Sequence, residues 1–117
     1  MVANVVPDQP SPGSVTVVVS GEVDLGDQDA FRSTIVDSAS PPTTMVVLDL
    51  TGVTFLGSSG IGALITAWKE LGDRHIGLRL EECSDIVGRV LEIAGVRDLL
   101  DGPEVDGDRA GEGSTRA

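Results

Sequence analysis

The sequence predicts a single α/β domain with a largely parallel sheet of about four to five strands and packed helices. Runs rich in β-branched residues alternate along the chain with segments whose apolar residues recur at helical spacing. The 117 residues make up the length of one domain; 40% of them are hydrophobic and only 3% are aromatic. We therefore expect an aliphatic core of Val, Leu and Ile between the sheet and the helices.

The N-terminal segment, residues 1–13, combines an apolar stretch at residues 2–6 with the sequence PDQPSPG. Its three prolines interrupt regular structure, because proline lacks a backbone N–H. The apolar stretch is compatible with an edge strand or with a loose end. We place the domain proper at residues 14–100.

Two strands and a helix are predicted before residue 51. The sequence SVTVVVS starts the first strand at Ser14, and residues 21–24 end it. A helix follows from about residue 27 to the Pro41-Pro42 pair, with Asp24 or Asp27 as its cap. Residues 45–50 form a nearly continuous apolar run, typical of a central strand covered on both faces. The helix would bury Phe31, Ile35, Val36 and Ala39.

A Gly/Ser turn at residues 57–60 separates this strand, and a loop holding Val53 and Phe55, from a second helix that Gly72 ends. Residues 76–80 alternate as a third strand, and a third helix opens at Cys83-Ser84-Asp85 and closes at Gly95. We expect a short strand at residues 96–100. The predicted apolar stripes are Ile61, Leu64, Ile65, Trp68 and Leu71 in the second helix, and Ile86, Val87, Val90, Leu91 and Ala94 in the third.

The final segment, residues 101–117, reads DGPEVDGDRAGEGSTRA and has almost no large apolar residue. A Gly-rich acidic segment of this kind cannot bury enough apolar surface to fold, so we predict a disordered tail.

Charge and cysteine content narrow the class of function. The formal net charge of −11 opposes binding to nucleic acid or to anionic membrane surfaces. The single cysteine, Cys83, excludes an intrachain disulfide, which suits a reducing cytoplasmic compartment. The chain has no apolar run long enough to span a bilayer and no signal-peptide pattern at its N-terminus.

Ser58 and Ser59 are the candidate functional hydroxyls, because the turn places them at the N-terminus of a helix. There a hydroxyl can cap the helix, bind an anion, act as a nucleophile or accept a phosphate. The Gly-x-Ser-x-Gly spacing of a nucleophile elbow is missing, and so is the Gly-Lys-Ser/Thr of a phosphate-binding loop. The only histidine, His75, falls at the far end of the same helix. We therefore expect no enzyme and no catalytic residue, and at least one serine should cap the helix.

Other candidate sites are weaker. No His, Cys, Asp and Glu residues show metal-ligand spacing, so we expect neither a metal nor a cofactor. An acidic group near the end of the first strand is compatible with an ordinary solvated surface or, with Ser58 nearby, with an acidic docking face. Its members are Glu22, Asp24, Asp27 and Asp29.

Three stretches resemble one known family. Residues 21–24 read Gly-Glu-Val-Asp, residues 48–55 read LDLTGVTF, and residues 57–62 read Gly-Ser-Ser-Gly-Ile-Gly. They are similar to the Gly-Glu-Leu-Asp turn, the strand and loop before the signature, and the signature Asp-Ser-Ser/Thr-Gly-Leu-Gly of STAS-domain anti-sigma-factor antagonists. The resemblance covers roughly residues 15–100. Gly57 stands where the family has Asp.

The resemblance implies a switchable regulatory protein. An antagonist of this type binds an anti-sigma factor, a serine kinase with an ATP-binding fold, and so frees a sigma factor for transcription. The kinase phosphorylates the first serine of the signature, Ser58 here with Ser59 as the runner-up, and a serine phosphatase resets it. The implied partner-binding residues are Glu22, Asp24, Gly57, Ser58, Ser59, Gly60 and Ile61. The alternative is a STAS module that serves as an accessory subunit or ligand sensor in another assembly, such as lipid transport.

Overall fold

The computed structural model describes residues 1–101, the last of them through its backbone alone. Within these residues, eight elements follow one another. They are β1 (Val2–Pro7), β2 (Ser14–Val23), α1 (Gln28–Asp37), β3 (Met45–Leu56), α2 (Ser58–Asp73), β4 (Gly77–Cys83), α3 (Asp85–Ile93) and α4 (Arg97–Asp101).

The four strands form one mixed sheet in the order β1-β2-β3-β4. β1 pairs antiparallel with β2, whereas β2, β3 and β4 are parallel to one another. The apolar stretch near the N-terminus is therefore an edge strand, the first of the two alternatives left open by the sequence. The predicted α/β class and largely parallel sheet are confirmed.

One core holds the helices against the sheet. On β3 it takes Val46, Leu48 and Leu50, which alternate along the strand and so share a face. On the opposite face Val47 is also fully buried, flanked by its neighbours Thr16 and Arg79 in the two adjacent strands. The core takes the buried apolar residues Phe31 and Ile35 of α1, Leu64 and Leu71 of α2, Val87 and Leu91 of α3, and Leu100 of α4.

Three strands are longer than predicted. β4 continues to Cys83, which was expected to open the third helix, and α3 instead starts after Ser84. Residues 51–56, expected as a loop, continue β3, because they pair with the end of β2: Gly21 lies opposite Val53 and Val23 opposite Leu56. For the same reason β2 includes residues 21–23 and ends at Val23, within the segment predicted to end it. Backbone hydrogen bonds to a neighbouring strand thus override the local turn character of Thr51-Gly52.

The C-terminal part of the domain differs from the prediction in the type of secondary structure. Residues 97–100, predicted as part of a strand, instead belong to the helix α4, in which Leu100 is buried together with Val96, the residue before the helix. These two residues are four apart and share a helix face, so helical rotation buries both. Asp101, expected to begin the tail, is the last residue of α4, and the predicted disorder of residues 102–117 lies outside the described residues.

The helices bury somewhat different stripes from those predicted. In α2 the most buried line is Gly60, Ala63, Leu64, Ala67 and Leu71, and Ile61, Ile65 and Trp68 lie half-buried beside it. In α3, Ile86 is 57% exposed and the helix instead buries Gly88. Small residues occupy the contact line because they let the helix backbone approach the sheet.

The helix ends also differ from the prediction. α2 runs past Gly72, and His75 takes the left-handed conformation after its end, with φ of 61°. α1 starts after Asp27 and ends at Asp37, before the proline pair. Gly95 closes α3 as predicted, with φ of 75°.

Candidate functional site

The Gly/Ser turn lies where β2 and β3 end side by side. The N–H of Gly57 donates to the carbonyl of Val23 at 3.0 Å, and the carbonyl of Gly57 accepts from the N–H of Ile61 at 3.0 Å. The first contact ties the turn to the end of β2, and the second closes the first turn of α2. The start of α2 is thus held by backbone hydrogen bonds at the carboxyl ends of two parallel strands, where α/β folds usually carry their sites.

Gly57, and neither serine, occupies the N-cap position of α2, with φ of −83° and ψ of 175°. The expectation that at least one serine side chain caps the helix is therefore wrong. Ser58 is the first helical residue, one position too late for its oxygen to reach back to the orphan N–H groups as a cap does. Within residues 1–101 no hydrogen bond occupies either hydroxyl. Ser58 is exposed and Ser59 half-buried, so Ser58 presents the freer hydroxyl.

Gly60 allows α2 to sit directly on the strands. A Cβ on this residue would lie 2.7 Å from Cδ1 of Leu56 and 2.9 Å from Cγ1 of Val23. Since real Cβ atoms do not approach that closely, the residue must be glycine unless these side chains move. Gly60 is itself buried, and it fixes the position at which α2 and Ser58 start.

Asp24 and Phe55 flank Gly57. A Cβ on Gly57 would lie 3.2 Å from Cε2 of Phe55 and 3.7 Å from Oδ1 of Asp24. The Asp24 carboxylate therefore lies directly beside the residue that precedes Ser58. Glu22, exposed and paired with Phe55 across the strands, adds a second carboxylate at the same end of the sheet.

The turn between β2 and α1 is held by its own side chains. Asp24 accepts the N–H of Leu25 at 2.7 Å, and Asp27 accepts the N–H of Asp24 at 2.9 Å. Asp27 takes the N-cap position of α1, but its carboxylate serves the turn and makes no cap bond, so the predicted side-chain cap is absent from α1. These bonds hold Leu25, 81% exposed, at the tip of the turn.

Together these residues form a contiguous surface at the strand ends. We call it the serine surface and define it as Glu22, Asp24, Leu25, Phe55 and Ser58. Two large apolar side chains are exposed in it, Leu25 at 81% and Phe55 at 46%. An exposed apolar pair surrounded by polar groups is characteristic of a protein contact site.

Sequence reasoning found only part of this surface. It named Glu22, Asp24 and Ser58 but missed Leu25, for which the only available signal was its place in a Gly/Asp turn. It placed Phe55 in a loop and did not name it as a contact residue. Ile61, a predicted contact, lies half-buried against the core. Asp29 is exposed in the first turn of α1.

The histidine lies far from the two serines. His75, the only histidine, follows the far end of α2, which has 16 residues and is therefore about 24 Å long. Among residues 1–101 no group of three or more His, Cys, Asp or Glu side chains is arranged to hold a metal ion. In the same part of the chain, no helix has the length and apolar character to cross a membrane.

Comparison with known proteins adds the family. The sequence model of the STAS domain matches residues 6–106. This chain belongs to the STAS domain family. Its STAS domain is 28% identical over 97 residues to the anti-sigma-B factor antagonist of Listeria monocytogenes, covering 83% of this chain and 85% of that one. It is 28% identical over 93 residues to the Staphylococcus aureus protein of the same name, covering 77% and 86%.

Solved structures of the family share the fold. The STAS domain superimposes with a TM-score of 0.70 on an anti-sigma factor antagonist from Mycobacterium paratuberculosis, at 26% identity. That match covers 90% of this chain and 87% of the other.

Proposed function

We propose that this STAS protein is an anti-sigma factor antagonist, which binds an anti-sigma factor through the serine surface and so frees a sigma factor to activate transcription. The observation that carries the proposal is the exposed, unbonded Ser58 hydroxyl at the start of α2, bordered by the exposed side chains of Leu25 and Phe55. The Listeria and Staphylococcus relatives, named as anti-sigma-B factor antagonists, support this partner class. Because sigma factors act on RNA polymerase, we place the protein in the cytoplasm.

The binding switch is phosphorylation of Ser58. The partner is a serine kinase with an ATP-binding fold that transfers phosphate to this hydroxyl, and a serine phosphatase removes it. Ser59 is the less suitable acceptor because it is half-buried. Neither nucleic acid nor a membrane takes part.

The position of Ser58 suits a modification that leaves the fold intact. Phosphorylation adds a charge of about −1.5 to −2, and the first N–H groups of a helix together with its dipole stabilise an anion there. The added charge instead weakens binding of the anti-sigma factor, because it adds to the carboxylates of Glu22 and Asp24 in the same surface. Burying an unmatched charge in an interface costs several kcal/mol, and each 1.4 kcal/mol changes affinity tenfold.

The test combines phosphotransfer with binding. The protein is incubated with candidate anti-sigma kinases and ATP, and mass spectrometry locates the phosphate. We expect phosphate on Ser58, its loss in Ser58→Ala and its retention in Ser59→Ala. Ser58→Glu should bind the kinase about 100-fold more weakly, with circular dichroism and urea denaturation like those of the unmodified protein.

Three results would count against the proposal. Undiminished binding by Ser58→Glu would refute the switch, and phosphate on Ser59 alone would move the acceptor. Binding to no anti-sigma factor, together with copurification with transporter components, would favour an accessory STAS module in another assembly.

A further inference from the structure

A second surface lies at the opposite end of the sheet from Ser58. It is a groove of about 770 Å³ between β1, the start of β2, α1 and the segment 38–43 that follows α1. Its floor and walls include Val5 and Pro7 of β1, Val15 of β2, and Ala30 of α1. Val5 and Pro7 lie opposite Val17 and Val15, so these strand residues share the face that α1 covers farther along the sheet. The groove is thus the part of that face beside the sheet edge that α1 leaves open.

The strand beside the groove, β1, has one unpaired edge. Its only partner within residues 1–101 is β2, so the backbone groups on its other side are free of ladder bonds. Its sequence, VANVVP, carries no charged side chain, and three of its valines are 38–60% exposed. Proteins usually protect such edges with charges or proline. β4 at the other edge carries Arg79, Glu81 and Glu82, whereas β1 has only Pro7, its last residue.

The charge around the groove has one sign. Among the described residues that line it, the only ionisable side chains are Asp8 and Asp37, and neither forms a salt bridge within residues 1–101. α1 ends at Asp37 with no basic residue in its last turn, so the negative end of its dipole adds to these charges. The basic residue of α1, Arg32, forms a salt bridge with Glu70. Arg74 donates to the carbonyl of Ala39 and lines an adjoining depression.

We propose that the free edge of β1 and the adjoining groove bind an extended segment of a partner protein that carries basic side chains at alternate positions. The segment adds a fifth strand next to β1, so that its backbone takes up the free ladder bonds. Every second side chain then points into the groove, where Asp8 and Asp37 select lysine or arginine. Because the groove and Ser58 lie at opposite ends of the sheet, this partner leaves the serine surface free.

The probe is a capped nine-residue peptide of alternating lysine and valine, with a glutamate–valine peptide as the charge control. Binding is measured by fluorescence anisotropy, and the site is mapped by amide shifts of the ¹⁵N-labelled full chain. We expect shifts in β1 and α1, and no binding of the glutamate peptide. Two further versions of the lysine peptide carry methyl groups on the two alternate sets of backbone nitrogens. Because strand pairing needs the N–H groups of one set, at least one version should bind tenfold more weakly than the unmethylated peptide.

Matched variants separate the groove from the overall negative charge. Asp8→Asn with Asp37→Asn should weaken binding at least tenfold. Asparagine suits position 8, where φ is 57°, so the fold is retained. Glu81→Gln with Glu82→Gln removes the same charge at the opposite sheet edge and should change affinity less than twofold. Equal losses in both double variants, shifts confined to β4 or the serine surface, or self-association of the chain through β1 would each overturn the proposal.

Discussion

The carboxylate of Asp24 lies beside Gly57, with Oδ1 3.7 Å from the place that a Cβ would take on that glycine. The two residues directly follow two neighbouring parallel strands, and the contact follows from the pairing of Val23 with Leu56, the last residues of those strands. A carboxylate from the turn after β2 therefore stands next to the residue that precedes Ser58, where STAS antagonists carry an aspartate. This contact makes the environment of position 57 directly testable.

An aspartate at position 57 should repel Asp24. Two carboxylates a few Å apart at the surface repel each other by about 1 kcal/mol. We therefore expect Gly57→Asp to have a lower free energy of unfolding than Gly57→Asn when Asp24 is present. In an Asp24→Asn background this difference should shrink, because the repelling carboxylate is gone. Urea denaturation of the four variants gives the coupling energy, which 0.5 M NaCl should reduce because salt screens exposed charges. A coupling energy near zero at low salt would mean that the two carboxylates do not face each other.

Gly60 and Gly62 should respond to alanine in opposite directions. Gly60→Ala forces a Cβ to within 3 Å of Leu56 and Val23, and should lower the free energy of unfolding by about 2–3 kcal/mol. Gly62 has no atom within 4 Å of its Cβ position, so Gly62→Ala should raise that free energy by about 0.5–1 kcal/mol. Thermal and urea denaturation measure both. A destabilising Gly62→Ala would show that α2 packs differently from the arrangement described.

His75, just after the end of α2, has an unfavourable backbone conformation that a glycine would relieve. The N–H of His75 donates to the carbonyl of Gly72, and the N–H of Ile76 donates to the carbonyl of Leu71. These are the two hydrogen bonds of a Schellman motif, and His75 takes its left-handed position with φ of 61°. Because this conformation costs a non-glycine residue about 1 kcal/mol, we expect His75→Gly to stabilise the protein by about that amount.

Gly95 provides the matched control for this prediction. It occupies the equivalent position after α3, with the same pair of bonds from Gly95 to Glu92 and from Val96 to Leu91. Gly95→Ala should therefore destabilise by about 1 kcal/mol. Loss of stability in His75→Gly would argue that the imidazole makes a favourable contact there.

Leu25 should matter for partner binding and not for folding. It is 81% exposed, so Leu25→Ala should change the free energy of unfolding by less than about 0.5 kcal/mol. If the serine surface meets the anti-sigma factor, the same variant should bind that partner at least about tenfold more weakly. Ile93 on α3 is equally exposed, at 81%, and Ile93→Ala should leave affinity unchanged. Isothermal titration with the cognate kinase compares them, and equal affinities for both variants would exclude Leu25 from the contact.

Most of the strands and helices were predictable, because the local sequence patterns agree with the burial in the folded protein. The alternation of Val15, Val17 and Val19 places one face of β2 in the core, and the Gly/Ser turn starts α2 as expected. Ser58 was recognised from the signature and is exposed at the helix start. These features depend on residues close in sequence, which a pattern reports directly.

The remaining features depend on residues that are far apart in sequence. The extension of β3 to Leu56 comes from hydrogen bonds to β2, and the burial of the small residues Ala63 and Ala67 comes from the close approach of α2 to the sheet. The short apolar run after Gly95 fits a strand or a helix equally well, and packing of Val96 and Leu100 selects the helix.

The sequence by itself determined the α/β class, the order of its main strands and helices, and the signature that singles out Ser58. Only the tertiary structure decided that Gly57 caps α2, that Asp24 lies against it, and that Leu25 and Phe55 are exposed around the serine. The physical reason is the parallel pairing of β2 with β3. It brings together two strand ends that are more than 30 residues apart in the chain, and no local pattern records that contact.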